Sequence, residues 1–196
     1  MMNNNNQKTE FWLVRHGQTD WNVEGRYQGQ TDMPLNPAGI QQARDLAAKI
    51  RMVHFDMIYA SDLGRARETA QILAGDRQVI FDPRLREIKQ GEWEGALFSE
   101  IRQRFAGFFE NRQEDPLNSR PPGGESLKEV ADRVLACVDA IAAENKGARI
   151  LLVSHGLSLA TILARAEHIP LENAFELILP NTEPKIVYWP PEESGE

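Results

Sequence analysis

Two short apolar runs, far apart in the chain, each lead into a histidine that is followed by glycine. The first run, 11–14, leads into His16, and the second run, 150–153, leads into His155. A short apolar run that ends in charged residues and glycine is typical of a buried strand leaving a sheet at its carboxyl edge. Open α/β sheets bind their ligands at this edge. The sequence therefore predicts that both histidines face one ligand-binding crevice.

The rest of the chain alternates between strand and helix patterns. Asn36 and Pro37 supply an N-cap and a first helical position, and Ser99 supplies a second N-cap. We predict helices over about 37–50, 64–73, 99–111 and 127–145 and from about 157, with further strands over 55–60 and 79–81 and near Leu177 and Val187. Helices available for both faces of a mostly parallel sheet favour a three-layer α/β/α sandwich.

Length and composition favour a single domain. The chain has 196 residues, of which 41% are hydrophobic and 26% are charged, and these values are ordinary for one globular domain. We predict one domain over 9–189, between a disordered amino terminus, 1–8, and a flexible tail, 190–196. Cys137 lies on the apolar face of a predicted helix and is interpreted as a core residue.

The charge of the chain restricts its partners. A net charge of -7 argues against general binding to nucleic acid or to anionic membranes. An anionic ligand therefore requires a local basic pocket. No run reaches the roughly 20 apolar residues of a membrane span, and the first residues lack the pattern of a signal peptide. We expect a cytoplasmic protein that does not bind membranes.

Reactive side chains collect at the predicted strand ends. Arg15 and His16 follow the first strand, Arg65 follows the second, Glu87 the third and His155 the fourth. Arginine binds phosphate oxygens through its planar fork, and a neutral imidazole can attack phosphorus. A carboxylic acid can protonate the departing alkoxide, while nearby cations keep a histidine neutral by lowering its pKa. This set indicates phosphoryl transfer.

Five motifs, in order along the chain, resemble those of the histidine phosphatase superfamily, also called phosphoglycerate mutase-like. They cover 13–22, 59–70, 85–95, 123–126 and 153–156. The resemblance spans about 11–189. It implies a phosphoglycerate mutase-like sandwich and a covalent phosphohistidine, with no metal and no dissociable organic cofactor.

The resemblance also implies a role for each matching residue. His16 matches the nucleophile that becomes phosphorylated, and Glu87 matches the proton donor. The phosphate-binding set comprises Arg15, Asn22, Arg65 and His155, with Thr19 and Gln28 at positions that often contact the phosphate or the leaving group.

Structural roles remain as alternatives at these positions. Both histidines have an alternative as capped structural residues. The alternative for Arg65 is a position on a helix surface with Asp62 or Glu68 as its partner. The alternative for Glu87 is a pair with a neighbouring arginine. We predict that Glu92 and Glu94 are solvated. A His-His-Glu metal site is disfavoured because arginines in the same pocket repel a divalent ion.

Two features favour a phosphatase. Only 27 residues, 96–122, separate the third motif from the fourth, whereas cofactor-dependent phosphoglycerate mutases carry a longer insertion with basic residues there. The 85–95 motif resembles the phosphatase branch, which includes alpha-ribazole and broad-specificity phosphatases. We expect a phosphomonoesterase that hydrolyses a small phosphorylated metabolite through His16. The alternatives are a cofactor-dependent phosphoglycerate mutase and a non-catalytic module that binds a phosphate ligand.

The identity of the metabolite and the oligomeric state stay open. We predict that segment 105–124 covers the pocket and selects the leaving group. This segment carries Phe108, Phe109, Arg112 and Arg120. Its aromatic and basic residues suit a sugar phosphate, a nucleoside phosphate or a small phosphorylated acid. Glu183 stands where the family often has a small hydroxyl residue, and we expect it to point away from the phosphate.

Overall fold

A computed structural model of the chain describes residues 8–108 and 114–192. Its strands form one sheet in the spatial order β3-β2-β4-β1-β5. They are β1 (Thr9–Arg15), β2 (Met57–Ala60), β3 (Ile80–Phe81), β4 (Arg149–Ser154) and β5 (Lys185–Trp189). β5 pairs antiparallel with β1, whereas the other pairings are parallel. The prediction of a mostly parallel sheet is therefore confirmed.

Helices cover both faces of this sheet. They are α1 (Asp20–Glu24), α2 (Pro37–Ile50), α3 (Gly64–Ala74), α4 (Phe98–Arg104), α5 (Leu127–Glu144) and α6 (Gly156–Ala166). Along β1, Phe11 and Leu13 pack in the core with α5 and α6. Trp12 and Val14 pack in a second core with α2 and α3. Because alternate side chains of a strand point to opposite faces, the apolar run of β1 is buried on both sides, and three layers result.

The starts of two long helices follow from their caps. The Oδ1 atom of Asn36 accepts a hydrogen bond of 2.8 Å from the N–H of Gly39 at the start of α2. Ser126 and Glu129 form a reciprocal capping box at the start of α5. These side chains satisfy backbone donors that the first helical turn leaves unpaired. The predicted spans of α2 and α5 agree with the structure.

Several local predictions were wrong. Ser99 lies inside α4, which begins after Leu97, because the Glu100 carboxylate accepts from the Leu97 N–H and so makes the cap there. The strand expected near Leu177 is a 3-10 helix, Leu171–Leu177; the turn after Pro170 allows Ala174 to be buried beside α6.

The prediction also missed α1 and placed the end of α4 too late. No helix is predicted between the first strand and Pro37, yet α1 forms there over Asp20–Glu24. α4 ends at Arg104, and after a turn at Phe105 residues 106–108 are again helical, whereas the prediction is one continuous helix to about residue 111. Residues 109–113 lie outside the described part of the chain.

Two glycines bring the loop after β1 against the start of α2. A Cβ atom on Gly39 would lie 2.1 Å from the carbonyl oxygen of Gln18. A Cβ atom on Gly17 would lie 2.5 Å from the carbonyl oxygen of Gly39. Backbones can approach this closely only where no side chain intervenes. The loop that carries His16 is therefore held directly on a helix.

The predicted domain limits, 9–189, remain a prediction. Of the two end segments expected to be disordered, 1–7 and 193–196 lie outside the described residues. Lys8 and Glu192, which are described, form an ion pair of 3.2 Å. Within the described ranges, no helix combines the length and apolar character that crossing a membrane requires.

Candidate active site

His16 and His155 leave the sheet side by side. β1 and β4 are parallel neighbours, and their register pairs Arg15 with Ser154. The next residue of each strand is a histidine, and the two ring centroids lie 5.2 Å apart. The chain continues from β1 toward one side of the sheet and from β4 toward the other, so the rings lie at a topological switch point. The two histidines therefore lie together at the carboxyl ends of neighbouring strands.

The hydrogen bonds of His16 determine which nitrogen is nucleophilic. Its Nδ1 atom lies 2.6 Å from the carbonyl oxygen of Gly17. A carbonyl only accepts, so Nδ1 carries the proton and Nε2 carries the lone pair. The Nε of Arg65 donates to Nε2 at 3.3 Å. His16 is 3% exposed, and its unprotonated nitrogen faces a cation.

Burial keeps both imidazoles neutral. It lowers the pKa of His16 well below the ordinary value, and the charges of Arg65 and Arg15 lower that pKa further. Burial likewise lowers the pKa of His155, with Arg65 and His16 as the next causes. A histidine without a proton on one nitrogen is a nucleophile and an acceptor. At neutral pH, His16 is therefore ready to attack an electrophile.

The guanidinium of Arg65 is fixed by backbone carbonyls. Its two terminal nitrogens donate to the oxygens of Thr31, at 2.8 Å, and Gly29, at 2.7 Å. Burial lowers the pKa of Arg65 to about 10, so the side chain stays charged at neutral pH. Asp62, the surface partner considered for Arg65, instead pairs with Arg86 at 2.6 Å. Arg65 thus lies beside the histidines, where the sequence predicted a phosphate contact.

The prediction that Glu94 is solvated was wrong. Its carboxylate accepts from Thr31 Oγ1 at 2.5 Å and from the backbone N–H groups of Gln30 and Gln90, each at 3.1 Å. These bonds hold the turn whose carbonyls bind Arg65. Glu94 is drawn inward because that turn exposes several donors, and no local pattern in the sequence indicates them.

Arg15 and His155 present unsatisfied atoms beside His16. Among the described residues, Arg15 Nε and His155 Nδ1 are buried without a hydrogen-bond partner. His155 Nε2 lies 2.8 Å from Ser61 Oγ, which itself accepts from the N–H of Leu63 at 3.3 Å. In the tautomer that carries its proton on Nδ1, His155 accepts a hydrogen bond from the Ser61 hydroxyl through Nε2. Buried atoms of this kind need an acceptor, and phosphate oxygens supply one.

Glu87 lies at the amino-terminal end of α6. Its carboxylate accepts from the N–H groups of Leu157 and Ser158, at 3.1 and 3.2 Å, and from the N–H of Ile88 at 2.9 Å. The first N–H groups of a helix have no partner within the helix and attract negative charge. The start of α6, which follows His155 directly, thus aims Glu87 at the same crevice.

A residue of α5 that the sequence analysis missed fixes the backbone of Glu87. Arg133 donates to the carbonyl oxygens of Arg84, Arg86 and Glu87 at 2.8, 2.6 and 2.9 Å. It also forms two bonds of 2.9 Å with Glu125. Arg133 stands in an ordinary amphipathic helix and carries no sequence signal, whereas Glu125 belongs to the fourth motif.

The remaining predicted contacts divide into two groups. Thr19 and Asn22 cap α1 reciprocally: the N–H of Asn22 donates to Thr19 Oγ1 at 3.2 Å, and the N–H of Thr19 donates to Asn22 Oδ1 at 3.1 Å. Thr19 is buried and is not among the residues that line the cavity, whereas Asn22 and Gln28 line it. The Oε1 atom of Gln28 is buried without a partner among the described residues.

Residues near the carboxyl end fix the backbone of the first motif. Asn181 Nδ2 donates to the carbonyl oxygen of His16 at 2.7 Å, and the N–H of Thr182 donates to the carbonyl oxygen of Arg15 at 2.9 Å. Glu183 is exposed to solvent and lies outside the cavity lining. Its carboxylate therefore does not face the place where the phosphate would bind.

A cavity of about 360 Å³ opens at this site. Arg15, His16, Arg65 and Glu87 line it, whereas His155 is not among its lining residues. The segment expected to cover it contributes Phe108, Pro116, Ser119 and Pro121, whereas Arg120 pairs with Glu129 at 2.9 Å. Phe109 and Arg112 lie outside the described residues. Across 8–108 and 114–192, no group of three or more His, Cys, Asp or Glu side chains is arranged to hold a metal ion.

Comparisons with known proteins identify the family of this chain. Residues 11–194 match the family model of the histidine phosphatase superfamily, branch 1. A protein of Shigella boydii named "Probable phosphoglycerate mutase GpmB" is 37% identical over 174 residues, which cover 88% of this chain and 81% of that protein.

Two solved phosphatases share the fold. The alpha-ribazole phosphatase of Shigella flexneri superimposes with a TM-score of 0.79 at 30% identity, over 88% of this chain and 86% of the other. The phosphoserine phosphatase of Entamoeba histolytica, in complex with 3-phosphoglyceric acid, superimposes with a TM-score of 0.80 at 33% identity, over 91% and 89%. The resemblance based on five motifs is confirmed, as is the phosphoglycerate mutase-like fold.

Proposed function

The chain belongs to the histidine phosphatase superfamily, and on that premise we propose that it is a phosphomonoesterase acting on a small phosphorylated metabolite. Membership makes it an enzyme of phosphatase or mutase type whose chemistry is phosphoryl transfer through a histidine. The observation that carries the proposal is the unprotonated Nε2 of His16, buried among Arg15, Arg65 and His155. A lone pair, two cations and a free N–H donor are what attack on a phosphate ester requires.

In the first step, Nε2 of His16 attacks the phosphorus atom of the ester. The new N–P bond forms as the bond between phosphorus and the ester oxygen breaks. Arg15, Arg65 and the Nδ1–H of His155 hold the three phosphoryl oxygens and neutralise their charge. Glu87, as a carboxylic acid, gives its proton to the departing oxygen, which leaves as an alcohol. The Gly17 carbonyl stabilises the positive charge that develops on the ring of His16.

In the second step, water hydrolyses the phosphohistidine. The carboxylate of Glu87 accepts a proton from the water as the oxygen attacks phosphorus, and the N–P bond breaks. This returns Glu87 to its acid form and His16 to its neutral form, and orthophosphate leaves. One carboxyl group serves both steps because it is acid in the first and base in the second.

A mutase remains the second candidate, favoured by the name of the Shigella boydii relative. In a mutase, a second hydroxyl of the substrate rather than water would receive the phosphoryl group. The short stretch 96–122 supports hydrolysis, because it leaves little chain to build a basic clamp on the substrate. The third candidate is a non-catalytic binding module. Such a module needs no nucleophile and no acid beside its phosphate-binding cations, whereas this chain has all three.

The test is a set of phosphate-release assays beside an isomerisation assay. Sugar, nucleotide and glycerate phosphates are offered without added metal, and conversion of 3-phosphoglycerate to 2-phosphoglycerate is measured with and without bisphosphoglycerate. We expect release of phosphate without isomerisation. Isomerisation primed by bisphosphoglycerate, with little release, would establish the mutase instead.

The nucleophile is tested with His16→Ala. We expect kcat to fall at least about 10³-fold, because no other group can replace the attacking nitrogen. Acid quenching of the unaltered enzyme during turnover should trap phosphate on His16. His54→Ala is the matched control, since its side chain is 83% exposed and its activity should be unchanged. Undiminished activity of His16→Ala, or label on another residue, would refute the mechanism.

A further inference from the structure

Ser61 lies beside His155 because the strands that carry them are neighbours. β2 and β4 are parallel, and their register pairs Ala60 with Val153. Ser61 directly follows β2, and its N–H donates to the carbonyl oxygen of Val153 at 3.0 Å. Ser61 and His155 are both 0% exposed. The fold therefore fixes the Ser61 hydroxyl 2.8 Å from His155 Nε2, out of contact with solvent.

The ring of His155 carries a single proton, which can lie on either nitrogen. Burial lowers the pKa of His155 well below its ordinary value, and the charge of Arg65 lowers that pKa further. The ring is therefore neutral at neutral pH. A neutral imidazole donates through one nitrogen and accepts through the other. The nitrogen that donates is selected by the hydrogen bond that the other nitrogen makes, and for His155 that bond is with Ser61.

The hydrogen bonds of Ser61 favour one of the two tautomers. Its Oγ atom accepts from the N–H of Leu63 at 3.3 Å. Within 8–108 and 114–192, its other hydrogen bond is with His155 Nε2. If Nε2 carried the proton, the hydroxyl proton of Ser61 would be buried and neither of these two contacts would accept it, which is unfavourable. If Nε2 carries the lone pair, the hydroxyl donates to it and both atoms are satisfied.

The same tautomer determines what the opposite nitrogen of His155 offers. Its Nδ1 atom is buried and, among the described residues, has no hydrogen-bond partner. The ring centroids of His155 and His16 lie 5.2 Å apart. An N–H group at Nδ1 stabilises the negative oxygens of a phosphoryl group held at His16, whereas a lone pair there repels them. The position of one proton therefore decides whether His155 attracts or repels phosphate.

Resting on the proposed function, we propose that Ser61 is a positioning residue, whose hydroxyl keeps the proton of His155 on Nδ1 so that this nitrogen donates to the phosphoryl group at His16. Ser61 is not among the residues that line the cavity. It acts through the ring of His155 and does not touch the substrate.

The first test is the tautomer of His155 in the unaltered enzyme. Two-bond NMR correlations between ring nitrogens and ring carbon-bound protons, recorded at neutral pH on isotope-labelled protein, distinguish a protonated nitrogen from an unprotonated one. Comparison with His155→Gln identifies the signals of His155. We expect a protonated Nδ1 whose signal shifts when orthophosphate is added. A protonated Nε2, or an Nδ1 signal that saturating orthophosphate leaves unchanged, would overturn the inference.

The second test removes the hydroxyl. In Ser61→Ala we expect a mixture of both His155 tautomers and an inhibition constant for orthophosphate that is raised about tenfold. We expect kcat/KM for 4-nitrophenyl phosphate to fall by a similar factor. Ser61→Thr keeps a hydroxyl at this position and should recover the single tautomer and most of the affinity.

Thr9→Val is the matched control. Thr9 is also 0% exposed, and its hydroxyl donates to the carbonyl oxygen of Asn145 at 2.8 Å, at the end of β1 remote from His16. The variant removes a buried hydroxyl without a contact to either histidine. It should change neither the tautomer of His155 nor the inhibition constant of orthophosphate.

The outcomes separate this inference from the proposed function. A Ser61→Ala variant that loses orthophosphate affinity while His155 keeps a single tautomer would show that Ser61 only maintains structure, and would refute the inference. Unchanged affinity and tautomer in that variant would refute it as well. If Ser61→Ala does not fold, the tautomer of the unaltered enzyme can still overturn the inference. Absence of phosphate release and of a trapped phosphoenzyme would refute the proposed function, whatever the tautomer.

Discussion

His16 shows how a single side chain acquires its reactivity from its contacts. The Gly17 carbonyl holds the proton on Nδ1, while burial and Arg65 keep a second proton off the ring by lowering its pKa. Arg65 in turn depends on the carbonyl oxygens of Gly29 and Thr31. The turn that carries them depends on the Glu94 carboxylate. The reactivity proposed for His16 Nε2 therefore depends on a series of hydrogen bonds that starts at Glu94, a residue with no proposed role in the reaction.

At the residue scale, Glu94→Ala tests this chain. Removing the carboxylate that accepts three hydrogen bonds frees the turn. Arg65 then loses its fixed position, so kcat/KM should fall about tenfold, with a smaller loss of stability. The measurement is kcat/KM for 4-nitrophenyl phosphate together with the thermal midpoint. Glu94→Gln, which keeps an acceptor oxygen, should recover part of the activity. The control is Glu92→Ala, an exposed neighbour; an equal loss in it would contradict the role of Glu94.

At the scale of elements, helices position Glu87, whereas strands position His16. β1 and β4 deliver the two histidines by their register. Glu87 follows an irregular segment, and its position comes from two helices: α6 offers its first N–H groups to the carboxylate, and α5 offers Arg133 to the backbone. The position of Glu87, the proposed proton donor, therefore results from the packing of two helices.

This arrangement predicts that Arg133→Met acts through leaving-group protonation. With the backbone of Glu87 released, kcat for benzyl phosphate should fall about tenfold or more, because its alkoxide needs a proton. For 4-nitrophenyl phosphate kcat should fall less than about threefold, since nitrophenolate leaves unaided. Lys128→Met is the control on the same helix, as Lys128 pairs with Asp132 on the surface. Equal losses with both esters would show that Arg133 only maintains structure.

At the scale of the whole molecule, the two cores enclose the site from both faces of the sheet. Phe11 and Leu13 belong to one core and Val14 to the other, so the end of β1 is covered on both sides. This enclosure buries His16 and His155 as neutral rings. Folding therefore excludes protons that the unfolded chain would bind.

The consequence is a loss of stability in mild acid. The folded pKa of each histidine lies well below the ordinary value of 6.5, so below that pH the unfolded chain binds protons that the folded chain does not. The free energy of unfolding keeps its full value above about pH 6.5, where both rings are neutral in the folded and in the unfolded chain. Below that pH it falls, by up to about 1.4 kcal/mol per pH unit for each ring. Urea unfolding between about pH 5.5 and 7.5 measures it.

His155→Gln should flatten this pH dependence, since one of the two buried rings is gone. The change in slope is the readout, because the variant also lowers stability at every pH. His54→Gln is the control, as its side chain is 83% exposed, and it should keep the original slope. A slope unaltered in His155→Gln would contradict the assignment of the proton uptake to the buried pair.

The sequence by itself determined most of the strands, the long helices and the residues proposed to react, because these follow from local patterns. The apolar run that leads into His16 lies within the 7 residues of β1. The caps at Asn36 and Ser126 directly precede their helices. The strand predicted near Leu177 was wrong because the local pattern there is weak. The packing of Ala174 on α6 determines the conformation of that segment.

Only the tertiary structure decided what supports the reacting residues. Glu94, Arg133 and Asn181 act on groups 63, 46 and 165 positions away, respectively. A carboxylate, an arginine and an asparagine with such partners look the same in sequence as their solvated neighbours. Local conformational preference depends on a few neighbouring residues of the chain. The hydrogen bonds that position this site instead join residues that are brought together only when the chain folds.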